Sequence, residues 1–344
     1  MSGNGAGSGV RSRIAAVGSA LPERRRTSGE LEGLIADVSP RCRIRQGLIE
    51  TMSGVRERRV AADDQNCSDL AATAGLDALE RAGVDADEID ALIFASASQD
   101  LVEPATANIV QEKIGTRAPV FDVKNACNSF LNGLQIAEGL IASGAHRKVL
   151  VTSGELTSRV VRLDVDCAKT LRRNFPGYTL GDAGGAAVVS ACDNGQRGIF
   201  HRAFTTASRF WDLATIPGGG TMHPRGEEFT YIRGDGTALR DAFQVVGPAL
   251  IEQALRATGT TFADFARILV HQVSMPFLHD FIERTKIPLE RIELTLPHLG
   301  NMASASLPVA YAQAEARGAL RPGDKVLWVG MASGISLGVL MTEV

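Results

Sequence analysis

Short apolar runs alternate with longer amphipathic segments along this chain. The runs are bounded by turn residues and are too short for helices, so they predict buried strands, while apolar residues at intervals of three and four predict helices. These patterns assign strands to 14–19, 91–95, 120–123, 148–153 and 186–190, and helices to 68–82, 106–114 and 129–140. This order is typical of α/β proteins in which helices cover both faces of a parallel sheet.

The same order returns later in the chain. Segments 268–270, 301–316 and 325–329 again read as strand, helix and strand. Ile93 and Cys127 are 34 positions apart (127 − 93), and Leu269 and Ser304 are 35 apart (304 − 269). We interpret this as an internal duplication, with chance spacing as the alternative. The duplication predicts similar halves at 13–195 and 196–344, and the Gly/Ser-rich start of the chain predicts a disordered tail at 1–12.

Composition narrows the functional class. The net charge of -3 gives no overall electrostatic case for nucleic-acid binding. Five scattered cysteines without a CxxC pair fit a reducing compartment better than a disulfide framework. Apolar runs stay well below the roughly 20 residues that span a bilayer, and the Gly/Ser-rich start lacks the apolar segment of a signal peptide. We therefore expect a soluble cytoplasmic protein with neither a membrane nor a nucleic-acid partner.

Cys127 is the first candidate for chemistry. It lies between the predicted strand 120–123 and the predicted helix 129–140. Unpaired N–H groups and partial positive charge at a helix N-terminus favour a thiolate and can hold an oxyanion. The alternative is a small buried apolar filler, a common role of free cysteine.

Two further polar residues follow predicted strands in the second half. His271 ends the run 268–270, and Asn301 follows Gly300 at a corner equivalent to that of Cys127. Each alone would more often be a structural histidine or a turn. The glycine-rich stretch 181–185 lacks Walker spacing and a following Lys-Ser/Thr, so it predicts a close-packed turn and no phosphate loop.

Several motifs together resemble the thiolase-like condensing enzymes, closest to β-ketoacyl-acyl-carrier-protein synthase III. They are Ser53-Gly54-Val55-Arg56-Glu57-Arg58-Arg59, Asn125-Ala126-Cys127, Gly181-Asp182-Ala183-Gly184-Gly185-Ala186, His271-Gln272, Gly300-Asn301 and Ala332-Ser333-Gly334-Ile335-Ser336-Leu337-Gly338. The resemblance implies a five-layered αβαβα fold of two similar halves and a homodimer. It also implies a catalytic Cys127, His271 and Asn301, an oxyanion hole from the N–H groups of Cys127 and Gly334, and neither metal nor redox cofactor.

One departure from the family concerns the carrier of the acyl group. Members that take short acyl-CoA primers generally carry a tryptophan and an arginine just upstream of the Arg-Glu-Arg motif, and segment 47–54 has neither. Acyl-CoA held by other arginines and delivery by acyl carrier protein both stay open. Arg56 and Arg58 are the candidates for substrate binding, against the alternative of a solvated basic surface.

Glu103 distinguishes two subclasses of condensation. The segments 47–54 and 100–107 resemble a subgroup that joins two acyl chains head to head, as in olefin-pathway and pyrone-forming ketosynthases. There a glutamate at this position reaches into the partner's site and removes a Cα proton. Decarboxylative condensation needs no such base, because loss of CO2 generates the enolate. The alternative is an exposed loop carboxylate.

The predicted function is a ketosynthase that condenses acyl-CoA or acyl-carrier-protein thioesters through an acyl-Cys127 intermediate, in fatty acid, olefin, pyrone or polyketide biosynthesis. One alternative is a decarboxylative β-ketoacyl-acyl-carrier-protein synthase III using a malonyl donor. Others are an acyltransferase to an alcohol or amine, and an inactive partner subunit. Loops 157–175 and 205–228 are expected to form part of the acyl pocket, whose length the sequence leaves open.

Overall fold

The computed structural model describes residues 11–192 and 198–344. Its strands are β1 Arg11–Ala20, β2 Arg25–Thr27, β3 Glu57–Arg59, β4 Ala91–Ala95, β5 Val120–Val123, β6 Lys148–Glu155, β7 Ala183–Cys192, β8 Ile199–Thr206, β9 Ala214–Thr215, β10 Arg233–Gly234, β11 Phe265–Val270, β12 Lys325–Ala332 and β13 Ser336–Glu343. Its α-helices are α1 Ser28–Val38, α2 Leu48–Ser53, α3 Cys67–Ala82, α4 Thr106–Ile114, α5 Ser129–Ala142, α6 Ala168–Asn174, α7 Gly236–Thr258, α8 Met275–Thr285, α9 Leu296–Leu299 and α10 Ser306–Ala316.

Two large sheets share one topology. The first has the order β1-β7-β6-β4-β5 and the second the order β8-β13-β12-β11. In both, the first two pairings in this order are antiparallel and the third is parallel. A parallel bridge between Ile268 and Ile292 occupies the place that the β4–β5 pairing has in the first sheet. The predicted duplication is thus visible strand by strand.

Three helical layers enclose these sheets. Helices α3 and α4 pack together on one face of the first sheet, and α7 and α8 cover the outer face of the second. Helices α5 and α10 lie between the sheets, and their apolar side chains join one buried core with β4, β6 and β12. An inner helix must be apolar around most of its circumference, which α5 achieves with Phe130, Leu131, Leu134 and Ile141. The predicted five-layered αβαβα architecture is confirmed.

Three details correct the predictions. The sheet is mixed, because β7 runs antiparallel to both β6 and β1. Arg11 and Ser12 belong to β1 and not to a disordered tail, while residues 1–10 lie outside the described residues. Helix α7 and strand β13 were not predicted. Among the helices in the described residues, none has the length and apolar character needed to cross a bilayer.

Candidate active site

Cys127 lies at a tight corner between β5 and α5. The preceding residue, Ala126, has φ 46°, a left-handed conformation that costs a non-glycine residue of the order of 1–3 kcal/mol. Ser129 holds this corner, because its Oγ accepts the Asn125 N–H at 2.8 Å and donates to the Ala126 carbonyl at 2.7 Å. The half-buried Cys127 side chain is thereby presented just before the helix begins.

A hydroxyl from the second half ties this corner to the turn that carries Gly334. Ser336 Oγ accepts hydrogen bonds from Asn125 Nδ2 at 3.1 Å and from Asn128 Nδ2 at 2.9 Å. Ser336 opens β13 directly after the turn, in which Gly334 has φ 112°. The network therefore fixes the relative position of the two backbone segments that are predicted to hold the oxyanion.

His271 follows β11 and is fully enclosed. Its backbone N–H donates to the Val329 carbonyl at 2.9 Å, which extends the β11–β12 ladder by one residue. Neither Nδ1 nor Nε2 has a hydrogen-bond partner within the described residues. Burial lowers the pKa of His271 to about 4, so the imidazole is neutral at physiological pH. A buried polar ring without a partner is expected where a substrate supplies the partner.

Asn301 occupies the matching corner of the second half. Its backbone N–H donates to the Thr179 carbonyl at 2.7 Å, and its own carbonyl accepts the Gly181 N–H at 3.0 Å. Asn301 Oδ1 accepts the Ala303 N–H at 3.0 Å, which turns the amide NH2 group away from that backbone. Gly300 has φ 69°, and a Cβ there would lie 2.7 Å from the Thr179 oxygen, so only glycine fits.

The environment of Cys127 differs from the prediction of a thiolate. Burial raises the pKa of Cys127 to about 12, and the nearby Glu155 carboxylate adds to this shift. The helix N-terminus does not reverse the effect. Cys127 is therefore a thiol and His271 is neutral, and the sulfur would have to lose its proton in order to attack.

Glu155 was not anticipated from the sequence. It is 0% exposed at the end of β6, and its Oε2 accepts the N–H and Oγ–H of Ser98 at 3.0 and 2.7 Å. Its Oε1 accepts the Ala97 N–H at 2.7 Å and the Ser304 Oγ–H at 2.5 Å. Ser304 is the counterpart of Cys127 in the duplicated half. In the sequence, the only feature that could have indicated that Glu155 connects these segments was a carboxylate at the end of a buried strand.

A cleft of about 1490 Å³ adjoins these residues. Its walls come mainly from segments 168–176, 211–223, 233–240 and 273–277. The predicted pocket loops 157–175 and 205–228 both contribute to them. Cys127, His271 and Asn301 do not line the cleft themselves. The cleft is lined instead by their neighbours: Lys124 and Val273, which lie close to Cys127 and His271 along the chain, and Thr179, whose carbonyl accepts the Asn301 N–H.

Basic side chains gather along this cleft. Lys169, Arg172 and Arg173 lie exposed on α6 or at its edge, and Arg233 and Arg240 line the cleft from other segments. The lining also includes the acids Asp212 and Asp235, so cations outnumber anions. In the sequence, the adjacent pair Arg172-Arg173 was the feature that could have indicated this basic lining of the cleft.

The two arginines predicted to bind substrate lie outside the cleft. Arg56 is exposed, and its Nε is 3.5 Å from Glu50 Oε1; a docking role for it stays a prediction. Arg58 is 2% exposed and donates to Ser28 Oγ and the Tyr178 carbonyl. The prediction for Arg58 does not fit the structure, because a side chain packed this deeply cannot reach a substrate in the cleft.

Glu103 lies in the exposed loop between β4 and α4, next to Leu101 and Val102. The start of α4 is held to β5, because Asp122 accepts the N–H groups of Thr106 and Ala107 at 2.9 and 2.8 Å. Strand β5 is the last strand of its sheet in the described chain, and Phe121 is exposed there. The loop of Glu103 thus borders an open sheet edge that leads to Cys127.

Comparisons with known proteins agree with this architecture. Residues 121–208 match the family model for 3-oxoacyl-[acyl-carrier-protein (ACP)] synthase III, and residues 255–344 match the model for its C-terminal part. β-Ketoacyl-[acyl-carrier-protein] synthase III of Syntrophomonas wolfei is 33% identical over 96% of this chain and 97% of its own. The enzyme of that name from Cereibacter sphaeroides is 32% identical over 96% of this chain and 98% of its own.

Solved structures show the same fold. The 3-oxoacyl-[acyl-carrier-protein] synthase III of Aquifex aeolicus superposes with a TM-score of 0.83 at 24% identity, over 97% of this chain and 100% of that chain. OleA of Xanthomonas campestris, bound to cerulenin, superposes with a TM-score of 0.88 at 24% identity, over 98% of both chains. Given relatives above 30% identity along nearly its whole length, the chain belongs to the 3-oxoacyl-[acyl-carrier-protein] synthase III family of condensing enzymes.

Proposed function

We propose that the protein is a ketosynthase that joins two acyl thioesters by a Claisen condensation through an acyl-Cys127 intermediate. One observation carries this proposal. His271 is buried without a hydrogen-bond partner in the described residues, and Asn301 has its amide oxygen pinned, so both offer N–H donors to a substrate. His271 directly follows strand β11, and Asn301 lies at the corner between α9 and α10. Donors held ready for a developing oxyanion are what enolate chemistry needs.

In the first half-reaction, Cys127 Sγ attacks the carbonyl carbon of an acyl thioester. A new C–S bond forms, the bond to the carrier sulfur breaks, and the thiol proton ends on the departing carrier thiolate. In this proposal the N–H groups of Cys127 and Gly334 hold the oxyanion. Glycine suits the second donor because its φ of 112° is costly for any other residue.

In the second half-reaction, His271 and Asn301 donate hydrogen bonds to the carbonyl oxygen of the second thioester. That oxygen becomes negative as the enolate forms, and the enolate carbon then attacks acyl-Cys127. The Cys127 sulfur leaves, and a 3-oxoacyl thioester is released. The low pKa of His271, about 4, keeps its ring neutral, with one N–H to donate. A permanent positive charge would stabilise the bound substrate as well as the transition state, and only the difference between the two accelerates the reaction.

The Cα proton of an unactivated donor needs a base, and we assign this role to Glu103 of the partner subunit in a homodimer. Support comes from the open edge of β5, where Phe121 is exposed and Val102 is 69% exposed on the adjoining loop. Pairing of two such edges would bury these side chains and remove an unpaired sheet edge. Because β5 runs directly into the Cys127 corner, it would bring the partner's loop towards the nucleophile.

A decarboxylative reaction with a malonyl donor is the second candidate. It is favoured by the relatives, at 33% and 32% identity, whose name is β-ketoacyl-[acyl-carrier-protein] synthase III. In that reaction the donor's carboxylate leaves as CO2, and its electrons form the enolate. The steps at Cys127, His271 and Asn301 are unchanged, and Glu103 has no proton to remove.

The cleft indicates the kind of substrate. Its cationic side chains suit the phosphates of coenzyme A or an acidic carrier protein, while about 1490 Å³ leaves room for a carrier arm and an acyl chain. A solved structure of OleA, 24% identical, contains lauric acid and lauroyl-CoA. We therefore propose acyl-CoA or acyl-carrier-protein thioesters as the substrates.

Covalent loading is tested by intact mass after incubation with acyl-CoAs of increasing length and with acyl-carrier-protein thioesters. The wild-type protein should gain the mass of one acyl group, and Cys127→Ala should gain none. An adduct that survives in Cys127→Ala, or no adduct on the wild type with any donor, contradicts the proposed intermediate.

Glu103→Gln separates the two reaction types. With unactivated acyl donors, the variant should load Cys127 at the wild-type rate and lose at least 10²-fold in condensation product, a typical contribution of a general base. Glu112→Gln, an exposed acid on α4, is the matched control and should keep both steps. Unchanged product from unactivated donors in Glu103→Gln excludes the base role. If the wild-type protein itself makes product only with malonyl donors, the decarboxylative reaction is favoured.

A further inference from the structure

A second, much smaller cavity lies apart from the cleft. It has a volume of about 50 Å³ and shares no lining residue with the cleft. Arg26, Arg58 and Ser158 line it together with five apolar residues. Two arginine side chains lining one small, largely apolar cavity are unusual, because like charges repel and burial weakens their hydration.

Arg58 has unused hydrogen-bonding capacity in this cavity. Its Nη2 donates to Ser28 Oγ at 3.2 Å and to the Tyr178 carbonyl at 2.7 Å. Its Nε and Nη1 are buried and have no partner within residues 11–192 and 198–344. Leaving a buried donor unpaired costs about 1–3 kcal/mol, and more for a charged group. The side chain therefore favours an acceptor from outside the protein chain.

Nearby carboxylates do not supply that acceptor. Both oxygens of Glu32 accept backbone N–H groups, from Gly47 and Ile49, at 2.7 Å each. Asp182 accepts the Ala61 N–H at 2.9 Å together with the N–H and Oγ–H of Ser158.

Arg58 keeps its charge despite this setting. Burial, and then the charge of Arg26, lowers the pKa of Arg58 to about 10, so it is still cationic at pH 7. The charges of Asp182, Glu30 and Asp63 act on Arg26 and that of Glu32 acts on Arg58, but no hydrogen bond or ion pair within the described residues joins these carboxylates to either guanidinium group.

We propose that this cavity binds one small inorganic anion, chloride under ordinary conditions, between Arg26 and Arg58. The volume of about 50 Å³ compares with roughly 30 Å³ for one water in the liquid, so the occupant must be small. A monatomic anion accepts hydrogen bonds from the Nε and Nη1 donors of Arg58 and lowers the repulsion between the two arginines.

The anion would also steady the corner that carries Asn301. An added Cβ at Gly181 would lie 3.0 Å from the Arg58 Cβ, and one at Gly300 would lie 3.3 Å from it. The Arg58 side chain is therefore packed directly beneath the backbone that pairs residues 180 and 301. Fixing its guanidinium group restricts movement of that backbone.

Thermal unfolding gives the first measurement. With sodium gluconate holding the ionic strength constant, the Tm of the wild-type protein should rise with the logarithm of chloride concentration, by about 2 °C per tenfold increase once the site is near saturation. Arg58 is too deeply packed for a clean substitution, so Arg26→Gln carries the test and should flatten this dependence. Arg24→Gln, an exposed arginine of the same segment, should keep it.

Crystals soaked in sodium bromide locate the ion directly. An anomalous peak within hydrogen-bond distance of Arg58 Nε or Nη1, absent from Arg26→Gln crystals, is the expected result. A wild-type Tm that does not respond to chloride, an equal response in Arg26→Gln, or bromide peaks only elsewhere would each overturn the proposal.

Discussion

Cys127 and His271 show how burial sets the resting state of this site. Taking a group out of water penalises its charged form, so the pKa of the thiol rises while that of the imidazole falls. Both groups are then uncharged before substrate arrives. The sulfur gains its nucleophilic form only as it attacks, so the resting enzyme exposes little thiolate to alkylation or oxidation.

Alkylation of Cys127 by iodoacetamide should therefore depend steeply on pH. With a pKa of about 12, the thiolate fraction rises roughly tenfold for each pH unit between pH 7 and 9, without reaching a plateau. The rate is measured by peptide mass mapping, with a Cys127→Ser sample to identify signals from the other cysteines. A plateau at or below pH 9 would show that the free enzyme stabilises the thiolate.

His271 and Asn301 should act after the enzyme is acylated. We expect His271→Ala and Asn301→Ala to accept an acyl group on Cys127 but to lose about 10²–10³-fold in condensation, as is typical when one oxyanion donor is removed. Intact mass reports the first step, and quantified 3-oxoacyl product reports the second. His279→Ala, on the exposed side of α8, should leave both steps unchanged. Equal losses in the two steps would contradict this division of roles.

At the scale of elements, hydrophobic patterning placed most strands but not their directions. Strands β4 and β5 and helix α4 have the predicted bounds, because each is a run delimited by turn residues. Strand β7 was expected to be parallel because its apolar sequence is typical of a strand buried on both faces, which it is. Burial alone carries no information on strand direction, and β7 is antiparallel. The duplication was predictable because it leaves nearly equal spacings along the chain, 34 and 35 positions.

The end of β6 was beyond prediction because its role depends on long-range contacts. Glu155 bonds to Ser304 across 149 positions and holds Ala97 and Ser98 across 58 and 57. Nothing in the local sequence marks such contacts. Cys127 and His271 could be singled out because each follows a strand, whereas Asn301 follows the short helix α9 and was singled out by the Gly-Asn turn. Their catalytic roles stay predictions, and the groups that position them are fixed by the fold.

Glu155→Gln tests what this carboxylate does to Cys127. Removing the negative charge should shift the pH profile of Cys127 alkylation to lower pH, because Glu155 contributes to the raised pKa of the thiol. The variant should also lose roughly 1–3 kcal/mol of stability, since an amide NH2 replaces an acceptor of several N–H groups. Glu155→Asp keeps the charge and serves as the control. If both variants give the wild-type pH profile, Glu155 has a structural role alone.

On the scale of the whole molecule, the duplicated halves bring equivalent corners into one site. Ala126 and Ala303 both adopt left-handed backbone, at φ 46° and 45°, immediately before Cys127 and its counterpart Ser304. One corner carries Cys127, the proposed nucleophile, and the other carries the buried Ser304, which bonds to Glu155. The edge of β5 is where, in our proposal, a second copy would complete the arrangement with its own Glu103.

Subunit mixing tests that completion. Cys127→Ala and Glu103→Gln should each be inactive alone with unactivated donors. In a mixed dimer, however, the intact Cys127 of one subunit would face the intact Glu103 of the other, giving one working site in two. Random re-association at equal concentrations makes half the dimers mixed, so about a quarter of wild-type condensation activity should return. A base acting within its own subunit restores none, because no subunit then carries both groups.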